Sequence, residues 1–215
     1  MKRLFLAAIV LMLSVASFAQ SEVGTLSIKP RAGINIAYFG ESQNSMWSVS
    51  TSPRIGVAAG FELEYLVQKR VGISAGVFYS QQGEKGETGN RYSTTSMTAK
   101  TDYINFPILA NVYLCKGLAL KLGVQPGVNV NASYSAGDYS SGDLSDVGIN
   151  IKKFDLSLPF GLSFAYKFLE IDARYCLGVT NIVSDDSNNT WNRVVQITAG
   201  LKLDILKRHR SSAEK

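Results

Sequence analysis

Residues 168–182 read FLEIDARYCLGVTNI and alternate between apolar and polar side chains. Glu170, Asp172 and Arg174 occupy every second position, and the positions between them are apolar. Successive side chains of a β-strand point to opposite faces, so this stretch predicts a strand with one charged and one apolar face. A soluble protein would bury the apolar face, whereas a membrane-spanning barrel would bury the charged face. The choice between these two orientations determines the class of protein.

The start of the chain predicts an export signal. Two bases are followed by an apolar run over 4–15 and by a small-x-small cleavage site that ends at Ala19. The apolar run is too short to span a bilayer as a helix. We therefore expect a cleaved signal peptide over 1–19, a mature barrel over 20–206 and a basic periplasmic tail over 207–215.

The charge and the cysteines exclude several classes of protein. The formal net charge of +5 comes from the signal, which carries +2, and from the tail, which carries +3. The body is therefore neutral and has no basic surface for nucleic acid. Cys115 falls at a predicted turn and Cys176 in a strand that is not adjacent to it, so we expect two free thiols.

Alternation with a period of two recurs in eight segments, and each is long enough for a tilted membrane strand. The segments cover 27–39, 54–67, 70–82, 102–114, 118–131, 153–166, 168–180 and 193–206. Short connections, such as QK and CKG, alternate with four long polar ones. This pattern predicts an all-β fold, an eight-stranded antiparallel up-and-down transmembrane β-barrel with short periplasmic turns and long external loops.

Two features of the segments favour the membrane orientation. The apolar face carries no charge in any of the segments, as a lipid-facing surface requires. The strand glycines occupy the same alternating positions as the polar residues and therefore lie on the same face. Glycine suits a narrow lumen better than a solvated surface. These glycines are Gly33, Gly56, Gly60, Gly72, Gly76, Gly123, Gly127, Gly161, Gly178 and Gly200.

Aromatic residues and prolines add two further expectations. Aromatics that include Tyr103 lie near the strand ends, as in the interface girdles of membrane barrels. Four prolines fall within the predicted strands, and each should mark a strand start or a bulge because a closed barrel has no free edge. They are Pro30, Pro107, Pro126 and Pro159.

The polar face predicts a network of charges that fills the lumen. Eight strands leave an interior only wide enough for side chains, and an unpaired buried charge is costly. We expect these groups to pair as support for the fold, in preference to ligand binding or proton passage. The predicted network consists of Arg31, Glu62, Glu64, Lys121, Asp155, Glu170, Asp172, Arg174, Lys202 and Asp204.

No catalytic, cofactor-binding or metal-binding residue is predicted. Lipid-modifying barrel enzymes use a histidine paired with serine or aspartate near the outer rim, whereas the single histidine here is His209 in the periplasmic tail. No cluster of histidine and cysteine could bind a metal. Loose Ca²⁺ binding by loop acids lacks a defined motif. These acids are Asp138, Asp143, Asp146, Asp185 and Asp186.

The sequences of several predicted strands resemble the PorT-like outer-membrane β-barrel family of Bacteroidetes. They include KPRAGINIAYF, YINFPILANVYL, LKLGVQPGVNV, FDLSLPFGLSFAY and NRVVQITAGLKL. The resemblance implies an outer-membrane location, contact with outer-membrane lipid, and a structural or interaction role accessory to protein secretion of type IX. It also implies envelope or secretion-machinery partners that bind through the long loops. The alternatives are a soluble lipocalin-like carrier of apolar ligands and a lipid-modifying outer-membrane enzyme.

Overall fold

The computed structural model describes residues 22–41, 50–90, 93–136, 140–183 and 190–206. Within these ranges the chain forms eleven β-strands and a short 3-10 helix at Leu144–Val147. No helix in this part of the chain is long and apolar enough to cross a membrane. The strands are β1 (Leu26–Glu41), β2 (Ser50–Gln68), β3 (Val71–Asn90), β4 (Ser93–Asn105), β5 (Ile108–Cys115), β6 (Leu118–Ala136), β7 (Ser140–Asp143), β8 (Phe154–Tyr166), β9 (Leu169–Gly178), β10 (Thr190–Leu201) and β11 (Leu203–Leu206).

The strands close into an antiparallel ring of eight positions, in the order β1, β2, β3, β4 with β5, β6, β8, β9, and β10 with β11. β1 pairs with β2 on one side and with β10 and β11 on the other, so the ring has no free edge. When the paired residues are followed from strand to strand around the ring, a path that starts at Leu26 of β1 returns to β1 at Ile36. The strands are therefore staggered by ten residues over one full turn. The predicted eight-stranded up-and-down barrel is therefore confirmed.

The charged face of the strands lines the lumen, and the apolar face lies outside. Ile55, Leu122 and Ile171 are 69%, 59% and 58% exposed, whereas Glu62 and Asp172 are fully buried. The orientation predicted from 168–182 for a membrane barrel is confirmed. A soluble carrier would need the opposite orientation, because its apolar face would line the ligand cavity.

Two of the predicted external loops contain paired β-strand. β3 continues to Asn90 and β4 begins at Ser93, and the two strands remain paired along this whole hairpin. β6 likewise runs to Ala136 and pairs there with β7, which lies outside the ring. The predicted segments 70–82, 102–114 and 118–131 were therefore too short on this side of the barrel. Antiparallel pairing satisfies the backbone groups of these polar segments beyond the apolar band, where the sequence pattern alone indicated only polarity.

Two side chains lie on the face opposite to the one expected. Tyr103 was expected among the outward aromatics, but it is fully buried in the lumen because it shares the parity of Asn105. Arg193 alternates with Trp191 and Val195 on the outward face of β10. The expectation that the apolar face carries no charge in any strand was therefore wrong.

The prolines interrupt the strands less than expected. Pro107 separates β4 from β5, as a strand-start proline should. Pro126 and Pro159 instead pair in register with Leu156 and Cys176 inside unbroken strands, and Pro30 lies inside β1. A proline removes one ladder hydrogen bond but keeps an extended φ, so these strands accommodate it without a bulge.

The two cysteines lie at different levels of the barrel. Cys115 ends β5 beside a short turn, and Cys176 is buried in the lumen on β9. Both thiols are free.

Candidate functional site

Nine charged side chains meet inside the barrel, near the strand ends that adjoin the short turns. They come from β1, β2, β6, β9 and the residue between β10 and β11, and each is more than nine-tenths buried. We call this set the ion cluster. It consists of Lys29, Arg31, Glu62, Glu64, Lys121, Glu170, Asp172, Arg174 and Lys202.

Two acids and three bases form the centre of the ion cluster. Glu62 lies 3.4 Å from Arg31, 2.8 Å from Lys121 and 3.2 Å from Arg174. Asp172 contacts the same three bases at 2.9, 3.1 and 2.6 Å. Each acid is therefore shared by three cations, and each of these cations contacts both acids.

A second group of contacts lies nearer the short turns. Lys29 places its Nζ between Glu64, at 2.7 Å, and Glu170, at 2.8 Å. The Asn111 amide donates a hydrogen bond of 2.7 Å to the Glu64 carboxylate, and the Tyr113 hydroxyl also donates to it. Buried carboxylates require several such partners because they have lost their hydration.

The ion cluster crosses the whole lumen. In the ring of eight, β2 lies three positions from β6, and β9 lies two positions from β6 in the other direction. Lys121 extends from β6 to Glu62 on β2, at 2.8 Å, and to Asp172 on β9, at 3.1 Å. Side chains from strands that are not neighbours therefore meet directly within the lumen.

Glycines on neighbouring strands make room for the long charged side chains. Arg31 lies in register between Gly60 and Gly200. Gly161 pairs with Arg174, and a Cβ at position 161 would lie 2.7 Å from the Cβ of Arg174. A larger residue at such a glycine would also contact the neighbouring backbone, so the glycines permit close approach of the strands as well as side-chain space.

Two members of the predicted network lie apart from the ion cluster. Asp155 is buried, but its carboxylate accepts hydrogen bonds from Thr180, at 2.7 Å, and from Asn192, at 2.9 Å. Asp204 is exposed on β11 and accepts a hydrogen bond of 2.8 Å from the Ser27 hydroxyl. The other eight predicted residues all belong to the ion cluster.

Sequence reasoning missed two residues of this site. Lys29 forms two ion pairs, and it shares the parity of Arg31, so strict alternation could have identified it. Tyr113 shares the parity of Asn111 in the same way. An aromatic residue on the polar face is harder to assign, because its apolar ring also suits a lipid-facing position.

No group of three or more histidine, cysteine, aspartate or glutamate side chains in the described ranges could hold a metal ion. Two of the loop acids instead cap the 3-10 helix: Asp143 accepts a hydrogen bond of 3.0 Å from the Ser145 backbone N–H, and Asp146 accepts one of 3.1 Å from the Asp143 N–H. The Ser145 backbone and hydroxyl donors lower the pKa of Asp143. The remaining candidates lie outside the described residues, namely Asp138, Asp185, Asp186 and His209.

A closed antiparallel barrel with an apolar exterior and an ionic lumen defines an integral outer-membrane β-barrel protein. The chain belongs to the outer membrane protein beta-barrel domain family, whose model matches residues 18–184. Its location is the outer membrane.

Solved outer-membrane barrels resemble the chain at low sequence identity. Ail, the attachment invasion locus protein of Yersinia pestis, is 16% identical with a TM-score of 0.48, over 85% of this chain and 100% of that chain. Neisserial surface protein A is 14% identical with a TM-score of 0.49, over 83% and 96%. OprG from Pseudomonas aeruginosa is 10% identical with a TM-score of 0.45, over 87% and 100%. No curated protein sequence matches the chain.

Proposed function

We propose that the protein is a closed, non-catalytic barrel with a structural or interaction role in the outer membrane, accessory to protein secretion. The observation that carries the proposal is the ion cluster, in which Lys121 on β6 contacts Glu62 on β2 at 2.8 Å and Asp172 on β9 at 3.1 Å across the lumen. An eight-stranded barrel leaves little space beyond its side chains, so a cluster across the lumen leaves no path for solutes. A barrel without a pore acts through its outer surface and its external segments.

The external hairpins supply a surface for such a role. β3 and β4 remain paired as far as Asn90 and Ser93, beyond the part of both strands that lies in the ring, and β6 pairs with β7 on the same side. A paired hairpin has an ordered backbone, which lowers the entropic cost of binding compared with an irregular loop of equal length. We propose that envelope or secretion-machinery proteins bind this surface.

The secretion role is supported by the resemblance of the strand sequences to the PorT-like family. YINFPILANVYL is one of these sequences. The test is a deletion strain in which exported cargo is quantified in the medium and in the periplasm. We expect less cargo in the medium and more in the periplasm, with recovery when the wild-type chain is restored. Normal export by the deletion strain contradicts the secretion role.

A shortened hairpin separates the interaction role from the presence of the barrel. Gly86 pairs with Met97, so replacement of residues 87–96 by Asn-Gly retains the register of the remaining strands. We expect this variant to fold with normal heat-modifiable gel migration but to restore export poorly in the deletion strain. A matched shortening of the β6–β7 segment shows whether one hairpin or both contribute. Full restoration by both variants contradicts binding through the hairpins.

The non-catalytic part of the proposal has its own test. The acyl chains and phosphates of lipid A from wild-type and deletion strains are compared by mass spectrometry. We expect identical lipid A, since the buried polar groups at the centre of the lumen are paired with one another. A lipid A species that disappears on deletion and returns with the wild-type chain contradicts a non-catalytic role.

A further inference from the structure

Arg193 lies on the lipid-facing side of the barrel wall. Its neighbours on the same face of β10 are Trp191 and Val195, followed by Ile197, which is 40% exposed. An arginine on the lipid face is unfavourable near the bilayer centre and becomes tolerable only near the interface. Arg193 lies close to the external start of β10 at Thr190, which places it at the outer end of the apolar band.

The guanidinium group of Arg193 lies over Gly40 of the adjacent strand β1. An ideal Cβ at Gly40 would be 2.5 Å from the Arg193 Nε and 2.9 Å from its Cζ. Gly40 pairs with Trp191 in the register of β1 and β10, and Tyr38 pairs with Arg193. The absence of a side chain at position 40 therefore creates the slot in which the guanidinium group rests.

Two tyrosine hydroxyls lie beside this slot. The Tyr38 and Tyr175 hydroxyl oxygens are 3.2 Å apart, and Tyr175 pairs with Val195, the next outward residue of β10 after Arg193. Either hydroxyl can donate to the other, so the pair keeps one proton free for a further acceptor. The Tyr175 ring also packs against Phe160, with a centroid distance of 5.4 Å, which holds it in place.

No described residue neutralises Arg193. Its Nε is buried and has no hydrogen-bond acceptor, and the guanidinium group forms no ion pair with a carboxylate among the side chains that the structure describes. A cation at the edge of the apolar band, without a counter-ion among the side chains that the structure describes, favours an acceptor from its surroundings. The surroundings at this depth are the headgroups of the outer leaflet.

We propose that Arg193, Tyr38 and Tyr175 form a binding site for the phosphate group of an outer-leaflet lipid. The planar guanidinium fork matches two phosphate oxygens, and the free tyrosine proton can donate to a third. Tyrosine and tryptophan side chains favour this interface because one end is apolar and the other is polar. Gly40 positions the guanidinium group towards the headgroups, and it does so without contacting the lipid itself.

The test uses the folded full chain in non-ionic detergent, with synthetic lipid A that carries a phosphate and with the same lipid without the phosphate. Native mass spectrometry measures the fraction of barrel that retains one lipid molecule at increasing lipid concentration. We expect the wild type to retain the phosphorylated lipid at least about tenfold more strongly than the dephosphorylated one, a factor typical of a charge-assisted hydrogen bond.

Three variants locate the site. Arg193→Gln should remove the preference for the phosphorylated lipid, and Gly40→Ala should weaken it because the added Cβ displaces the guanidinium group without a change in charge. Lys85→Gln removes a charge from an exposed external residue of β3 and should leave the preference unchanged. Heat-modifiable gel migration confirms that each variant is folded, and Gly40→Ala serves as the main test if Arg193→Gln does not fold.

Two results would overturn the proposal. Equal retention of both lipids by the wild type shows that the site does not recognise phosphate, whatever else neutralises Arg193. An unchanged preference in the folded Arg193→Gln and Gly40→Ala variants shows that phosphate binds elsewhere. A preference lost equally in the Lys85→Gln variant also contradicts a specific site, because it indicates attraction by net charge alone.

Discussion

Glu62 lies where bases from three different strands converge. Arg31, Lys121 and Arg174 contact it from β1, β6 and β9, and all four side chains are shielded from water. Such an arrangement contributes little net stability compared with an apolar core, because the desolvation of the charges offsets their attraction. Loss of one partner is different, because the remaining ions stay buried without compensation.

We expect Glu62→Gln to lower the free energy of unfolding by about 3–5 kcal/mol, since the three bases lose a shared counter-ion. Urea unfolding of the barrel in lipid vesicles, followed by the gel migration of the folded form, measures this change. The control is Glu22→Gln, an exposed acid ahead of β1, which should change the free energy of unfolding by less than about 0.5 kcal/mol. Equal effects of the two substitutions would contradict the central place of Glu62.

A single methyl group at position 161 should be poorly tolerated. The added Cβ would lie 2.2 Å from the Ala173 carbonyl oxygen and 2.7 Å from the Arg174 Cβ, and neither atom can move without the strand. We expect Gly161→Ala to lower the free energy of unfolding by about 1–3 kcal/mol through overpacking.

Gly72→Ala provides the matched control for Gly161→Ala, because Gly72 also lies on the lumen face of its strand. Its Cβ would meet the Glu64 side chain at 3.4 Å, an ordinary contact, so the variant should remain close to the wild type in the same urea assay. If both alanine variants unfold at the same urea concentration as the wild type, the close approach of the strands does not explain why glycine occupies these positions.

At the scale of the element, each barrel strand places its apolar residues towards lipid. β6 presents Leu120, Leu122 and Val124 outwards, and Leu122 is 59% exposed. We expect Leu122→Arg to lower the free energy of unfolding in vesicles by about 2–4 kcal/mol relative to Leu122→Ala, the cost of an arginine near the bilayer midplane. Equal stability of the two variants would show that this face does not contact lipid.

The 3-10 helix at Leu144–Val147 depends on the ionised form of its cap. The Ser145 backbone and hydroxyl donors hold the pKa of Asp143 below its ordinary value. A lowered pKa in the folded state means that the stabilisation is complete above the pKa of the unfolded chain and is lost as the pH falls through the folded pKa.

The Ser145 amide resonance reports this cap directly in an NMR titration of the barrel in detergent. We expect it to shift at a pH below the ordinary aspartate value of about 3.9 and to lose this transition in the Asp143→Asn variant. A midpoint at or above that value would contradict the hydrogen-bonded cap.

The direction in which each strand faces could be predicted from its sequence, whereas the level of each side chain in the lumen could not. Ile171 and Asp172 lie on the predicted faces because alternation follows from strand geometry alone. Asp155 shares the inward face, yet it lies apart from the ion cluster, since the stagger of the closed ring decides which residues share a level. That stagger depends on pairings between strands, which a single sequence does not show.

Arg193 illustrates a second limit of prediction from the alternation of apolar and polar residues. It continues the outward alternation of β10, so its face could be predicted by strict parity, but its tolerance there depends on the slot above Gly40. Gly40 belongs to β1, far away in sequence, and only the pairing of β1 with β10 brings the two together. The extended hairpins were missed for the same reason, since polar strand and polar loop differ in pairing and not in composition.

At the scale of the whole molecule, the barrel has its charged side chains inside and its apolar side chains outside, the reverse of a soluble protein. Its ion cluster contains five bases and four acids, and the separate buried Asp155 balances the remaining charge. Two further buried acids, Glu84 and Asp102, lie outside the ion cluster. The cluster itself has one more base than acid, so little net charge attracts ions to this level of the lumen.

The central claim, a lumen closed by the ion cluster, is tested most directly by the conductance of the purified barrel in a planar lipid bilayer at neutral pH. Heat-modifiable migration of the same preparation establishes that the barrel is folded, and protease treatment of matched vesicles establishes that it is inserted. The account predicts no steady ionic current through the inserted wild-type barrel. A stable current that rises in proportion to voltage would contradict it.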